Sequence, residues 1–276
     1  MSARVAVIGH FEWVTHTRGE VPAAGEIVHL DQAFEEPAGG GAVTAAQIAR
    51  METHCRFVTA VGDDAVADDA IRLLGESGIE VVSSRRPAPH PKALTIVDAS
   101  GERTIMVTGG RHSPTLDDAL GWDELADFDG VYFIGDDPRT LVAARRATHL
   151  VVTARRLPAL ITSGVQADVL VASAHDKDEA VDVAALPIAP RALVVTEGAE
   201  GGRIIVDGHE RRYAAVPPSG PVVDSYGAGD CFAGALTVGL ARGLDLDAAV
   251  ALAALGGAKA LTWRGGLGPL PVATPA

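Results

Sequence analysis

A carboxylate closes a run of small residues in Val223-Asp224-Ser225-Tyr226-Gly227-Ala228-Gly229-Asp230, which leads directly into the helical pattern Cys231 to Arg242. Backbone N–H groups at a helix start have no intrahelical partner, and the helix dipole adds roughly half a positive charge there. Such a turn is an anion site. Asp230 would repel a resting phosphate, so a mere phosphate cradle is a poor account of it. Phosphoryl transfer is a better one: the anionic group arrives beside Asp230 while its carboxylate takes a proton from an attacking hydroxyl. An alcohol has a pKa far above neutrality, and a positioned carboxylate contributes on the order of 10²–10⁴-fold. The Gly227, Ala228 and Gly229 amides would stabilise charge growing on the transferred oxygens, worth about 10²–10³-fold per donor. The plainer alternative is an Asp that caps the helix; the Gly-Ala-Gly run ahead of it favours catalysis.

Other segments have chemistry-bearing patterns of lower specificity. Thr196-Glu197-Gly198-Ala199-Glu200-Gly201-Gly202 follows the apolar strand Leu193-Val194-Val195. Ligands bind beyond the carboxyl ends of strands in open α/β sheets, and Gly198 and Gly201 permit close approach to a polyphosphate. An ordinary glycine-rich turn fits the same residues. Pro37-Ala38-Gly39-Gly40-Gly41-Ala42-Val43 either admits a polar ligand to the backbone or is a flexible helix entry. Glu12, beyond the first strand, is a candidate acceptor for a ligand hydroxyl or a solvated loop charge. Cys231 reads as a small core residue at a tight helix start, because no His is near it in sequence.

Several function classes are excluded or disfavoured. The formal net charge of −13 argues against nonspecific nucleic-acid binding. Two distant cysteines, Cys55 and Cys231, make neither a disulfide framework nor a CxxC metal site. The histidines lack HxxxH or HxH spacing, and no G-x-S-x-G elbow or Walker A pattern occurs. Gly9-His10-Phe11 does not supply the G-x-G-x-x-G of a dinucleotide-dependent oxidoreductase. The start, MSARVAVIGH, lacks a signal-peptide core, and no run approaches a membrane span. A cytoplasmic protein is expected.

These groups need a scaffold. The 276 residues, 47% hydrophobic and only 4% aromatic, suit a single α/β domain over 1–276 whose helices pack through small side chains. Strands are expected at Val5–Gly9, 26–30, 56–61, Val81-Val82, 92–98 and 103–108, the last two flanking a Ser100-Gly101-Glu102 turn. Helices are expected at about 42–51 and 65–77. From residue 115 the pattern alternates regularly: helices 117–126, 138–147, 155–163 and a weaker 177–184 precede strands 130–134, 149–153, 168–172 and 192–196. A hairpin over 204–207 and 210–214 and helices 229–242 and 246–262 complete the chain. The alternation predicts a doubly wound, mostly parallel sheet with helices on both faces. Residues about 12–36 and 90–112 form a small β-sheet lid, whose exposed strands could pair in a homodimer.

In order and over most of the chain, these segments resemble the PfkB/ribokinase family of carbohydrate kinases. Asp224 to Asp230 resembles the family's DTxGAGD signature, with Ser225 for Thr. Gly39 to Arg50 is similar to its glycine-rich signature, and Val61-Gly62-Asp63-Asp64 to its VGxD turn. Gly101-Glu102-Arg103-Thr104 is similar to the lid hairpin, Thr196-x-Gly198-x-x-Gly201 to the nucleotide loop, and Ala254 to Gly265, including Ala258, to the adenine-side helix and loop. The resemblance implies a ribokinase-like body, ATP with Mg²⁺ as donor, and a small sugar or nucleoside as acceptor. It makes Asp230 the base and residues 227–230 the anion hole. Gly39, Gly40, Gly41, Glu12 and Arg103 would face the acceptor. Asp224 would serve a monovalent cation such as K⁺. The departures fall at the acceptor end. Val14 stands where the family has a hydroxyl-binding Asp, with Glu12 the nearest substitute, and Val43 stands for an Asn. The Mg²⁺-organising NxxE motif has two rival alignments, Ser173-x-x-Asp176 and Asp176-x-x-Glu179. An unusual acceptor is implied, and a noncatalytic ligand-binding protein on the same fold remains an alternative.

Overall fold

A computed structural model describes residues 3–99 and 101–269, so Ser100 of the expected turn lies outside the described residues. The main sheet contains β1 (Arg4–Ile8), β4 (His54–Gly62), β5 (Ile79–Arg86), β8 (Gly130–Phe133), β9 (His149–Thr153), β10 (Val169–Ser173), β11 (Ala192–Thr196), β12 (Gly202–Val206) and β13 (His209–Tyr213). Its order is β13-β12-β11-β10-β9-β8-β1-β4-β5. Pairing is parallel from β11 through β5, and the β12–β13 hairpin adds antiparallel strands at one edge.

Strand β1 explains why the sheet is covered twice. Successive side chains point to opposite faces. Val5 and Val7 pack into one buried cluster with Ala46, Leu236 and Val250, while Ala6 and Ile8 pack into the other with Leu141 and Leu160. The first face carries α1 (Gly40–Arg50), α2 (Ala65–Glu76), α5 (Ala228–Ala241) and α6 (Leu246–Ala260); the second carries α3 (Pro138–Ala144) and α4 (Leu157–Ser163). Two apolar faces per strand and small side chains on α5 and α6 produce the doubly wound arrangement expected from the sequence.

A separate small sheet, the lid, contains β2 (Glu12–Arg18), β3 (Asp31–Ala38), β6 (Lys92–Val97) and β7 (Arg103–Thr108) in the order β3-β2-β6-β7. The strand expected at Glu26 to Leu30 does not form. Its alternation finds no partner strand, and Ile27 is 92% exposed. The sheet uses the flanking segments instead, and β2 pairs on both sides.

Two expected helices also fail. Over 117–126 only a 3-10 turn at Trp122–Asp127 forms, because Gly121 adopts a left-handed φ of 71° and interrupts the run. Over 177–184 there are two 3-10 turns, Lys177–Glu179 and Val183–Ala185. Asp176 accepts the Asp178 N–H and Asp182 accepts the Ala184 N–H. Such local side-chain bonds compete with the helical ladder. Among the described residues, no helix is long and apolar enough to cross a membrane.

Candidate active site

The segment before α5 is held by Asp224. Its Oδ1 accepts the Tyr226 N–H at 2.9 Å and its Oδ2 accepts the Gly265 N–H at 3.1 Å. Both carboxylate oxygens of this buried side chain are thus engaged by backbone, and two loops are tied together. Gly227 caps α5 with φ 73° and no side-chain hydrogen bond. A Cβ there would lie 2.8 Å from Val43 Cγ1, so both conformation and space call for glycine. The Cys231 N–H donates to Gly227 O, which makes Asp230 the third helical residue. The alternative that Asp230 caps the helix is therefore set aside. The Gly229 and Asp230 amides precede the i→i−4 ladder. Cys231 is buried, and burial pushes its thiol up to about 12, in line with a core role.

Asp230 projects to where α1 begins: a Cβ on Gly40 would lie 3.1 Å from its Oδ1. Burial pushes the Asp230 carboxyl up to about 6, opposed by the positive charges of Arg155 and Arg103. Glu12 faces the same entry. A Cβ on Gly39, which has φ 89°, would collide with Glu12 Oε2. Gly41 donates its N–H to His10 O, which fixes α1 against the end of β1. The structure therefore gathers Asp230, Glu12 and the Gly39–Gly41 backbone. Glu12 is no solvated loop charge: it starts β2, is 8% exposed, and is pushed up to about 7 by burial. Arg111 and Arg156 oppose that rise, and Asp230 adds to it.

The neighbouring wall is apolar. Val14 and Val43 are fully buried in one cluster with Ala38 and Tyr226. The Tyr226 hydroxyl accepts the Gly39 N–H at 3.0 Å. Arg103, at the start of β7, reaches across from the lid: its Nη1 donates to Ser225 Oγ at 2.9 Å, and Ser225 Oγ donates to Gly101 O at 3.3 Å. Arg18 of β2 adds a second tie, to Val223 O at 2.8 Å.

The remaining expected residues lie further along the sheet. Thr196 ends β11, Gly198 (φ 58°) opens a 3-10 turn, and Gly201 has φ 83° with a Cβ blocked by Tyr213 O. This loop stands at the same strand ends as the acceptor entry but four strands from β1, roughly 19 Å at the usual strand spacing. Ala258 is buried in α6 and offers an apolar wall. Glu179 Oε1 lies 2.8 Å from Arg155 Nε, and Asp176 pairs with the same guanidinium. Burial raises the Glu179 carboxyl against the pull of Arg155, and the charges of Asp176 and Asp230 add to the rise.

His10, Arg111, Arg155 and Arg156 were not among the expected site residues. The signal for Arg155 and Arg156 was their place directly after the apolar run Leu150 to Thr153, at a strand's carboxyl end. Arg111 belongs to no motif.

A family model described as "pfkB family carbohydrate kinase" matches residues 2–273. The ribokinase of Bacillus subtilis is 29% identical over 273 residues, covering 92% of this chain and 91% of that protein. The acarbose 7(IV)-phosphotransferase of an Actinoplanes strain is 46% identical over a shorter stretch of 74 residues, 26% of this chain and 25% of the relative. Among solved structures, Arabidopsis thaliana ribokinase complexed with ribose and ATP superposes with a TM-score of 0.76 at 18% identity, covering 97% of this chain and 95% of that one. That likeness is one of fold.

Proposed function

Since this chain belongs to the pfkB family of carbohydrate kinases, and so transfers a phosphoryl group from ATP to an acceptor hydroxyl, we propose that Asp230 is the base of that transfer. The observation that carries the assignment is the placement of its carboxylate in the first turn of α5, beside amides outside the helical ladder and opposite Glu12. Asp230 takes the hydroxyl proton as the acceptor oxygen attacks the γ-phosphorus in line. The Gly227 to Asp230 backbone receives the charge on the transferred oxygens. Glu12 and the Gly39–Gly41 backbone orient the acceptor, a small sugar-like molecule. Thr196, Gly198 and Gly201 hold the donor phosphates, with Ala258 against the base.

The lid, residues about 12–36 and 90–112, excludes water so that ATP is not spent on hydrolysis. Arg103 ties it to Ser225. Its outer strand β7 leaves Ile105, Met106 and Val107 exposed, which supports a homodimer through the lid. A cytoplasmic location, where ATP is supplied, accords with this chemistry.

Asp176 and Glu179, which share Arg155, are the carboxylates that would hold Mg²⁺, whose chemistry there would be to neutralise charge on the donor phosphates. Asp224 is braced by backbone rather than by a guanidinium. Both of its oxygens already accept N–H groups, and that tie itself orders the loop.

The test is Asp230→Asn. The expected variant keeps its circular dichroism and loses at least about 10²-fold in turnover of ATP with acceptor. Near-normal turnover would remove Asp230 from the mechanism.

A further inference from the structure

In a chain with formal net charge −13, four arginines act on the acceptor entry: the charges of Arg103, Arg111, Arg155 and Arg156 reach Asp230, Glu12 or His10. Their carboxylate partners are unevenly shared. Arg155 is enclosed by two acids, Asp176 and Glu179. Arg103 is bonded to the Ser225 hydroxyl. Arg111 and Arg156 share one oxygen of a single carboxylate: Asp136 Oδ1 is 3.0 Å from Arg156 Nη1 and 3.6 Å from Arg111 Nη1. The longer contact exceeds hydrogen-bond length. The Asp136 side chain is 42% exposed, so solvent screens its hold on both.

The other partners of Arg156 are neutral. Its Nε donates to Ile134 O at 2.9 Å, and its Nη2 lies 3.5 Å from His10 Nδ1. Burial, and then the charges of Arg156, Arg111 and Arg155, push His10 down to about 3, so that imidazole is neutral. Two guanidiniums with one screened carboxylate leave a positive charge unbalanced. The Arg156 side chain is only 11% exposed, whereas that of Arg111 is 48% exposed, so the pair sets one buried charge beside one that reaches solvent, and the buried one gains most from an anion.

The position of the pair gives it a use. Arg156 follows β9 at the carboxyl end of the parallel sheet. Arg111 follows the lid strand β7, and its guanidinium lies 3.6 Å from Asp136, which follows β8. Both act on Glu12, which shares the entry with Asp230. The acids acting on this space are Glu12, Asp136 and Asp230, with Asp176 and Glu179 held by Arg155, and Glu12, raised by burial to about 7, carries only part of a charge near neutrality. Across from the arginines, buried Val14 and Val43 have no polar atom to meet an acceptor hydroxyl, and the Tyr226 hydroxyl is engaged by Gly39.

The geometry points to an acceptor with an anionic group of its own, a carboxylate or a phosphate, received by Arg111 and Arg156 while a hydroxyl of the same molecule faces Asp230. The planar guanidinium fork matches either anion. The inference rests on the kinase reading above and narrows its acceptor to sugar acids or sugar monophosphates.

Turnover with ATP on matched acceptors tests it: glucose, glucuronate and glucose 6-phosphate, and ribose, ribonate and ribose 5-phosphate. In the expected result an anionic member exceeds its neutral counterpart at least tenfold in kcat/KM, and the better arm identifies carboxylate or phosphate. Arg111→Ala then raises KM for that acceptor at least tenfold while kcat changes less, and Arg111→Lys recovers part of the loss. The same compounds are added without ATP in a melting experiment; the anionic member raises Tm in the wild type and not in Arg111→Ala. Neutral members that turn over as well as their anionic partners overturn the inference and leave the kinase standing. Turnover of none of them counts against the kinase reading instead, and the melting arm alone then decides the anion site: an equal shift in wild type and Arg111→Ala, or none in either, overturns it.

Discussion

The proposed phosphoryl end of this site comes from one continuous segment, and the proposed acceptor end is assembled from several elements. At the first, one continuous segment, Asp224 to Asp230, supplies the turn, the amides and the carboxylate, and Asp224 braces it with two backbone bonds. At the second, Glu12 comes from β2, Gly39–Gly41 from the start of α1, Arg103 and Arg111 from the lid, and Arg156 from the turn after β9. A phosphoryl group presents the same oxygens whatever it is moved to, so fixed amides serve it. An acceptor presents its own groups, and only side chains can be exchanged to meet them. Hence the first end can keep a compact motif, while the proposed second end has the apolar Val14 and Val43 beside it and, on the inference above, takes its polar contacts from the arginines.

Asp230 breaks the comparison most severely, and its pH dependence sharpens it. The base works deprotonated, and burial pushes this carboxyl up to about 6. The kcat of the wild type is therefore expected to fall as pH drops through about 6, with a limiting tenfold loss per unit. A profile flat down to pH 4.5 would show that no group with this ionisation limits the reaction. Asp230→Asn should remove that limb along with about 10²-fold or more of the rate.

The next effect is on the backbone turn. Gly227→Ala forces a Cβ into a left-handed conformation at about 1–2 kcal/mol and against Val43 Cγ1. Since about 1 kcal/mol moves Tm by roughly 2–4 °C in a domain of this size, Tm should fall by several degrees and turnover with it. Val43→Ala in the same chain removes the clash and leaves the φ strain, so the double variant should recover only part of the loss. Full recovery would mean that φ contributes nothing.

Glu12 tests the acceptor end. Its folded carboxyl is raised from 4.5 to about 7, so the folded state holds the proton more tightly than the unfolded chain. The stability it contributes is complete below about pH 4.5 and is lost as pH rises through 7. The coupled loss is on the order of 2–3 kcal/mol, shared with Asp230. Glu12→Gln should flatten stability against pH over that window in denaturant titrations. An unchanged slope would mean that Glu12 titrates as an exposed carboxyl.

The two ends also differed in how far the sequence revealed them. Apolar runs closed by turns marked β8 to β11, and the small-residue run before α5 marked the turn proposed as the anion hole. Both signals are local. Strand β2 was missed because Glu12-Trp13-Val14-Thr15-His16-Thr17-Arg18 is mixed in character and exists only through its pairing with β3 and β6. The exposed alternation at 26–30 drew the strand instead. Asp176 and Asp182 turned an acidic helical pattern into two short turns. Arg111 and Arg156 are 45 positions apart in the numbering and are brought together at Asp136. No spacing rule joins a lid loop to a sheet turn.

The smallest expected effect lies where the two ends touch. Ser225 accepts from Arg103 and donates to Gly101 O, so one hydroxyl fastens the lid to the phosphoryl loop. Net hydrogen bonds are worth about 0.5–1.5 kcal/mol, and less where water competes. Ser225→Ala should lower kcat less than tenfold with little change in Tm. Its clearer sign is leakage: a lid held less often admits water, so ATP hydrolysis without acceptor should rise relative to phosphoryl transfer. Ser225→Thr keeps the hydroxyl and should restore the wild-type ratio. If alanine leaves that ratio unchanged, the Ser225 hydroxyl does not hold the lid, and the closure falls to the Arg18 bond to Val223 O and to the acceptor itself.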